Sequence, residues 1–339
     1  DDLIVANTGG NQVFLFPRLS AQSFATEPIV LFSGTNPTGI TVDDVNADGR
    51  NDLVVANRGS NDVTIFLGTP TTDTGFDTGR RLAAGIGPVS ADVMIDKTTG
   101  AVTSLIVTNA DAGTVSMLPA VQGLGGSIFN DQAASTISIG QTSSQGGQII
   151  GNSFVATNPL NDSFTYIPDL QNAFLTGTGI NSFSSGGDEP TYALPTDFNF
   201  DGILDLIVAN SGDGRIVLFA GGDIGFAFSD LLSTPSLAHP AAMDIAEING
   251  VLNLFVTEEG EDVASIFQIE PSRNSSFPFP QFSLSSSSLV TDGFGRPGSQ
   301  LQTTLAALTN LLLASLNPNG WQQTTATTRT SVDGRAPRL

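Results

Sequence analysis

Two acidic nonapeptides hold the side chains best suited to chemistry. One runs from Asp44 to Asp52 (DVNADGRND) and the other from Asp197 to Asp205 (DFNFDGILD). Asp44, Asn46, Asp48 and Asp52 place oxygen-bearing side chains at positions 1, 3, 5 and 9, and Asp197, Asn199, Asp201 and Asp205 repeat the pattern. Such a set suits a hard cation, with Arg50 and Ile203 at position 7 offering backbone oxygen. Calcium takes six to eight oxygens at roughly 2.3–2.6 Å and tolerates irregular geometry, so Ca2+ is the expected ion. Gly49 and Gly202 at position 6 allow the sharp turn that gathers the donors. An EF-hand would place Glu at position 12, but Val55 and Val208 stand there. Asp52 and Asp205 are therefore the expected substitutes. The ion is read as structural: without it, clustered like charges repel.

Each loop runs into an apolar, β-branched segment, so it opens a strand and not a helix. That strand recurs as DLIVAN from Asp2, DLVVAN from Asp52, SLIVTN from Ser104, SFVATN from Ser153, DLIVAN from Asp205 and NLFVTE from Asn253. The final residues of successive copies lie 50, 52, 49, 52 and 48 residues apart. A second strand follows each copy across a polar gap such as TGGN, RGSN or SGDG, which is hairpin chemistry. Phe24, Phe76, Phe129, Phe174, Phe226 and Phe279 mark a third segment rich in Ser and Thr. Pro37, Pro88, Pro190 and Pro240 precede a fourth, apolar strand that leads into the next copy. Four short strands per period of about 50 residues predict an all-β fold, a β-propeller of four-stranded blades.

The segments GITVDDVNADGRNDLVVANRGSNDVTIFLG (39–68) and TDFNFDGILDLIVANSGDGRIVLFAGG (196–222) resemble the FG-GAP/VCBS repeat family, which includes integrin-type propellers. The resemblance covers roughly residues 1–290 and implies a calcium-binding propeller used in recognition. The copies are unequal. In the third, Asp96 stands at position 1 but Thr98, Gly100 and Ser104 fill positions 3, 5 and 9. The fourth, near Gly147 to Ser153, has no loop. The sixth keeps Glu247, Asn249, Gly250 and Asn253 but has Ile245 in place of the first ligand. Six copies are visible in a chain that starts mid-repeat without Met, so a fragment of a seven-bladed domain is expected. Six blades would suffice if a C-terminal strand closed the ring.

A formal net charge of −21 argues against nucleic acid and anionic membrane surfaces. The absence of cysteine removes disulfides and thiolate sites and suits an exported bacterial protein, secreted or at the cell surface. Past residue 290 the period fails. Residues 291–317 read as an extension, helix or strand, packing on the propeller, and 318–339 as a disordered tail. The apolar part of that extension is shorter than a membrane span needs.

Candidates for catalysis are few. His239, the only histidine, occupies the loop position held by Asn36, Gly87 and Glu189 in other copies. A hydrolytic triad has no candidate base other than His239, no Cys nucleophile exists, and no phosphate-binding glycine loop of the G-x-x-x-x-G-K-[ST] type is present. Paired carboxylates among the 33 acidic residues stay open, although those in motifs are read as ion ligands. The recurring Asn7, Asn57, Asn109, Asn158 and Asn210 read as hairpin caps, and the Phe landmarks as core between blades. The sequence thus points to a non-catalytic extracellular adhesion or scaffold module recognising proteins or polysaccharides. The alternative is a lectin-type propeller, or the accessory propeller of a polysaccharide-degrading enzyme.

Overall fold

Alternating apolar residues and regularly spaced turns dictate short antiparallel strands, and the computed structural model arranges them as a six-bladed β-propeller. It describes residues 2–290 except 21–22, 97, 122–127, 141–145, 199–200, 223–224, 233–238, 249–250, 259–262 and 270–288. The C-terminal extension and tail therefore lie outside the described residues, as do Phe279 and Asn199.

Blade one pairs Leu3–Asn7, Gln12–Phe16 and Ile29–Phe32. The other blades have four strands each, in sequence order. Blade two is Pro37–Asp43, Asp52–Asn57, Asp62–Phe66 and Arg80–Ala83; blade three is Pro88–Ile95, Val102–Asn109, Thr114–Pro119 and Ser135–Ser138. Blade four is Gly147–Ile150, Ser153–Asn158, Ser163–Ile167 and Asn181–Ser184. Blade five is Pro190–Thr196, Asp205–Asn210, Arg215–Gly222 and Gly225–Leu232; blade six is Pro240–Ile248, Val251–Glu258, Val263–Ile269 and Leu289–Val290. The proline landmarks thus open the first strand of blades two, three, five and six.

Five buried apolar clusters lie one at each junction between consecutive blades. The second strands of blades two and five, DLVVAN and DLIVAN, are sealed on both faces, being buried at every position. Much of the phenylalanine complement serves these junctions. Phe66, Phe129, Phe154, Phe164 and Phe198 are fully buried, and Phe164 packs on Phe183, Phe219 and Phe226.

The fourth copy departs from the expected strand at its Phe landmark. Leu170–Thr176 is an α-helix there. Asp169 caps it by accepting the Asn172 N–H at 2.9 Å, and Gly177 ends it in the left-handed region at φ +70°. Its Leu170 and Ala173 fill the junction between blades three and four.

The first strands of blades two to six are each sheet edges, and at three junctions they bond to one another. Thr38 donates to the Pro88 carbonyl at 3.2 Å, Ser90 to that of Gly147 at 3.2 Å and Thr191 to that of Pro240 at 2.7 Å. These strands line the propeller axis. The residues before the prolines, Asn36, Gly87, Glu189 and His239, all have φ between 51° and 69°. The N–H groups of the first three are held by side chains of the preceding blade, Asn11, Asn61 and Asp162, at 2.9 Å each.

Candidate functional site

The two acidic loops join the first and second strands of blades two and five, and they adopt the same geometry. Asp44 Oδ1 accepts the Asp48 N–H at 3.0 Å and its Oδ2 accepts that of Gly49 at 2.7 Å; Asp197 does the same for Asp201 at 3.1 Å and Gly202 at 2.9 Å. Asp48 and Asp201 accept the N–H groups of Arg50 and Ile203 at 2.9 and 2.8 Å. Asn46 Oδ1 accepts the Asp48 N–H at 2.8 Å. Gly49 and Gly202 both have φ +84°, a region closed to most residues with a Cβ.

Asp52 and Asp205 are completely buried and act as brackets. Asp52 accepts the Val45 N–H at 3.0 Å and the Gly68 N–H at 2.7 Å; Asp205 accepts those of Phe198 at 3.1 Å and Gly221 at 2.8 Å. Burial pushes Asp52 up to about 6 against the opposing effect of its two N–H donors, and Asp48 and Asp44 add to the rise. A partner that sequence reading missed is position 2. Val45 and Phe198 are buried in the two-three and five-six junctions and anchor the loops to the core. The signal was the apolar residue between two acids.

The donor chemistry of Asp44, Asn46 and Asp48 fits a hard cation, and the turn puts all three on one short arc. Among the described residues, however, no three His, Cys, Asp or Glu side chains converge closely enough to hold a metal ion. The carboxylates of Asp52 and Asp205 face backbone donors in the core. In the third copy Asp96 accepts hydrogen bonds from Thr98 and Thr99, including their backbone N–H groups at 2.8 and 2.9 Å.

The recurring asparagines are structural. Asn57 is fully buried, accepts the Gly34 N–H at 3.0 Å and donates to Asp62 and Thr64 at 2.8 and 2.9 Å. Asn109 repeats this with Gly85, Thr114 and Ser116. His239 is exposed, with Nδ1 3.0 Å from the Ser211 carbonyl of the preceding blade, as suits a loop residue.

A second group of acids gathers at the axis. By strand register, Thr41, Asp92, Gln148, Leu194 and Asp244 occupy equivalent positions on the first strands of blades two to six. Thr41 donates its hydroxyl to Asp92 Oδ1 at 3.1 Å. Burial raises Asp92 to about 6, against the Thr41 hydrogen bond, and the charge of Asp43 raises it further. Burial also raises Asp244 and Asp43, each partly offset by one backbone N–H. Tyr192 of blade five completes the group. Desolvation first, then the charges of Asp244 and Asp92, push its phenol up to about 12, while Gln148 hydrogen-bonds to it. Its ring packs against the five-six core. Two poorly solvated carboxylates from blades three and six thus act electrostatically on the phenol of blade five.

No protein-family model matches the chain, and no curated protein matches it by sequence. Solved structures do match. A functionally unknown protein from Desulfotomaculum acetoxidans aligns at 13% identity over 84% of this chain and 78% of its own, with a TM-score of 0.57. The periplasmic gluconolactonase of Pseudomonas aeruginosa aligns at 16% identity over 82% and 77%, with a TM-score of 0.55. A provisionally assigned 6-phosphogluconolactonase from Bacteroides fragilis aligns at 13% identity over 81% and 76%, with a TM-score of 0.53. At such identity the likeness establishes the propeller fold. It also corrects the expectation of a non-catalytic adhesion module that is no enzyme. That expectation took the fold as the mark of a recognition platform, whereas propellers of equal similarity include a named gluconolactonase.

Proposed function

We propose that the axial cluster is a hydrolytic centre for a small polyhydroxylated carbonyl compound, a sugar lactone or ester. The observations that support this reading are the Thr41–Asp92 hydrogen bond between blades two and three and the poor solvation of Asp92 and Asp244, whose charges both act on the Tyr192 phenol. A carboxylate with pKa about 6 is ionised at neutral pH yet basic enough to take a proton from water. In the proposed step the water oxygen bonds to the carbonyl carbon while Asp92 accepts its proton. The carbonyl electron pair moves onto oxygen, and the Tyr192 hydroxyl donates a hydrogen bond to that oxyanion. Collapse breaks the bond to the ring oxygen, which takes the proton back from Asp92 and leaves a hydroxy acid. Asp244 and Gln148 supply hydrogen-bonding partners for substrate hydroxyls. The gluconolactonase among the similar propellers accords with this class and does not carry it.

Two further readings belong to the same proposal. The repeat is taken to be of FG-GAP/VCBS type, supported by the matching hydrogen bonds of two loops in blades two and five. Calcium held by Asp44, Asn46, Asp48 and the Arg50 carbonyl, and by their blade-five equivalents, would neutralise the clustered acids and stiffen the turns. The protein is taken to work outside the cytoplasm, which the lack of cysteine and the acidic charge support.

The test is hydrolysis of gluconolactone by the purified chain, measured above the spontaneous rate. Tyr192→Phe should lower kcat by about 10²-fold with little change in KM. Asp92→Asn should abolish turnover while the chain stays folded. A folded chain that never exceeds the spontaneous rate with lactones or sugar esters would sink the proposal.

A further inference from the structure

One face of blade one is apolar and uncovered. Cross-strand partners share a face of a sheet, and the register sets Leu3 opposite Phe16, Val5 opposite Phe14 and Phe14 opposite Val30. Phe32, two residues beyond Val30, lies on the same face. The other face is buried against blade two through Val13 and Leu31. On the open face Phe32 is 72% and Leu3 37% exposed, and Val5, Phe14 and Phe16 are half-buried. The local sequence does not cause this: DLIVAN recurs in blade five, where Leu206 is fully buried. The positions of Phe14 and Val30 are held by Thr64 and Arg81 in blade two, Ser116 and Thr136 in blade three, and Thr165 and Ser182 in blade four. In blade five the equivalent Val217 is sealed against blade four. A contiguous apolar face marks a docking surface, whereas a lone exposed side chain does not.

We propose that this face is the docking site of the chain's own residues 301–316. That stretch, LQTTLAALTNLLLASL, lies outside the described residues; it carries seven leucines and no charged side chain. Its tether starts in the right place. Leu289–Val290 is the fourth strand of blade six, and blade one is the next blade of a six-bladed ring. Ile29–Phe32, which carries Val30 and Phe32, is likewise the outermost strand of its blade. The chain from Val290 to Leu301 can span about 35 Å when extended, well beyond the roughly 10 Å between packed sheets. A second copy of the chain is a poorer occupant. Each copy carries a formal net charge of −21, so apposing two sets like charge against like, whereas residues 301–316 bring none. A tethered segment also meets the face at a high effective concentration.

Two measurements on the full chain test the proposal. The chain contains no cysteine, so Leu308→Cys labelled with a benzophenone maleimide places one photo-crosslinker at one known position. After irradiation the label should be joined to peptides from residues 3–32 of the same chain. Attachment to another part of the propeller, or to a second copy, overturns the proposal. Hydrogen exchange supplies the second measurement. Phe32→Asp sets a charge on the face at an exposed position, so the blade-two strand Asp52–Asn57 should keep its protection. Residues 301–316 should then exchange at least about tenfold faster than in the wild type. Wild-type exchange of 301–316 at the rate of an unstructured chain, or protection that Phe32→Asp leaves unchanged, overturns it as well.

Discussion

Thr41 and Asp92 meet across the seam between blades two and three, the threonine hydroxyl donating to Asp92 Oδ1 at 3.1 Å. The bond steadies a carboxylate that burial otherwise disfavours. Burial raises the folded pKa to about 6, against about 3.9 for a free aspartate. A carboxyl whose folded pKa is raised binds its proton more tightly when folded. Its charge therefore opposes folding fully above pH 6, and the opposition fades as pH falls towards 4. Asp92→Asn keeps an acceptor for Thr41 and removes the charge. It should stabilise the fold by about 2 kcal/mol at pH 8, with the gain vanishing near pH 4 in thermal melts, while turnover is lost.

Thr41→Val removes a hydrogen bond that favours the ionised form of Asp92. If Asp92 is the base, the acidic limb of the pH-rate profile should move to higher pH. An unmoved limb would mean that another group titrates.

If calcium occupies the acidic loops, chelation with EDTA should lower the melting temperature. An ion at 100 times its Kd contributes about 2.7 kcal/mol. The paired change Asp48→Ala and Asp201→Ala should reproduce that loss, and EDTA should then add nothing. Equal melting of the wild type with and without EDTA would count against an ion in the loops.

Gly68 and Gly221 give their N–H groups to the bracket carboxylates and press against the carbonyl oxygens of Asn51 and Leu204. A Cβ at either place would overlap those oxygens. Gly68→Ala and Gly221→Ala should each destabilise by about 1–3 kcal/mol in denaturant titrations. Gly9→Ala is the control, since nothing lies within 4 Å of its Cβ position, and it should be near neutral.

The hairpin asparagines should differ in worth. Asn57 makes three bonds of 3.0 Å or less, whereas Asn210 donates to Ser185 at 3.4 Å and its Oδ1 has no partner among the described residues. Asn57→Ala should cost about 2–3 kcal/mol and Asn210→Ala less than about 1 kcal/mol. Equal losses would show that burial of the amide, and not its bonding, sets the cost.

The blades were legible because their cues repeat. DLVVAN and DLIVAN, the polar hairpin gaps and the proline landmarks all recur at one spacing, and each corresponds to a strand or turn of the structure. The loop turns were legible for the same reason, since side-chain type alone sets how Asp44 and Asp197 bond. The axial cluster was hidden because it does not repeat. At one register position the blades carry Thr41, Asp92, Gln148, Leu194 and Asp244, so comparing copies averages the chemistry away. The significance of Asp92 comes from residues on other blades. The helix at Leu170–Thr176 escaped for a related reason: the Phe landmark suggested a strand, while Asp169 and Gly177, which cap the helix, lie outside the repeat pattern.

Blade four shows what the acidic loop is worth to the architecture. There Ile150 pairs directly with Ser153, and Gly151 at φ +66° turns the chain in two residues. The strands on either side still pair, and Asn158 still closes the next hairpin through Thr165. The nine-residue loop is thus an insert that the scaffold can host or discard blade by blade. Its presence in only some blades makes the rim unequal around the ring, so that one side of the circumference differs from another. An engineer could shorten the loop of blade two to the blade-four turn, or graft it onto blade four, and change the rim without touching the axis.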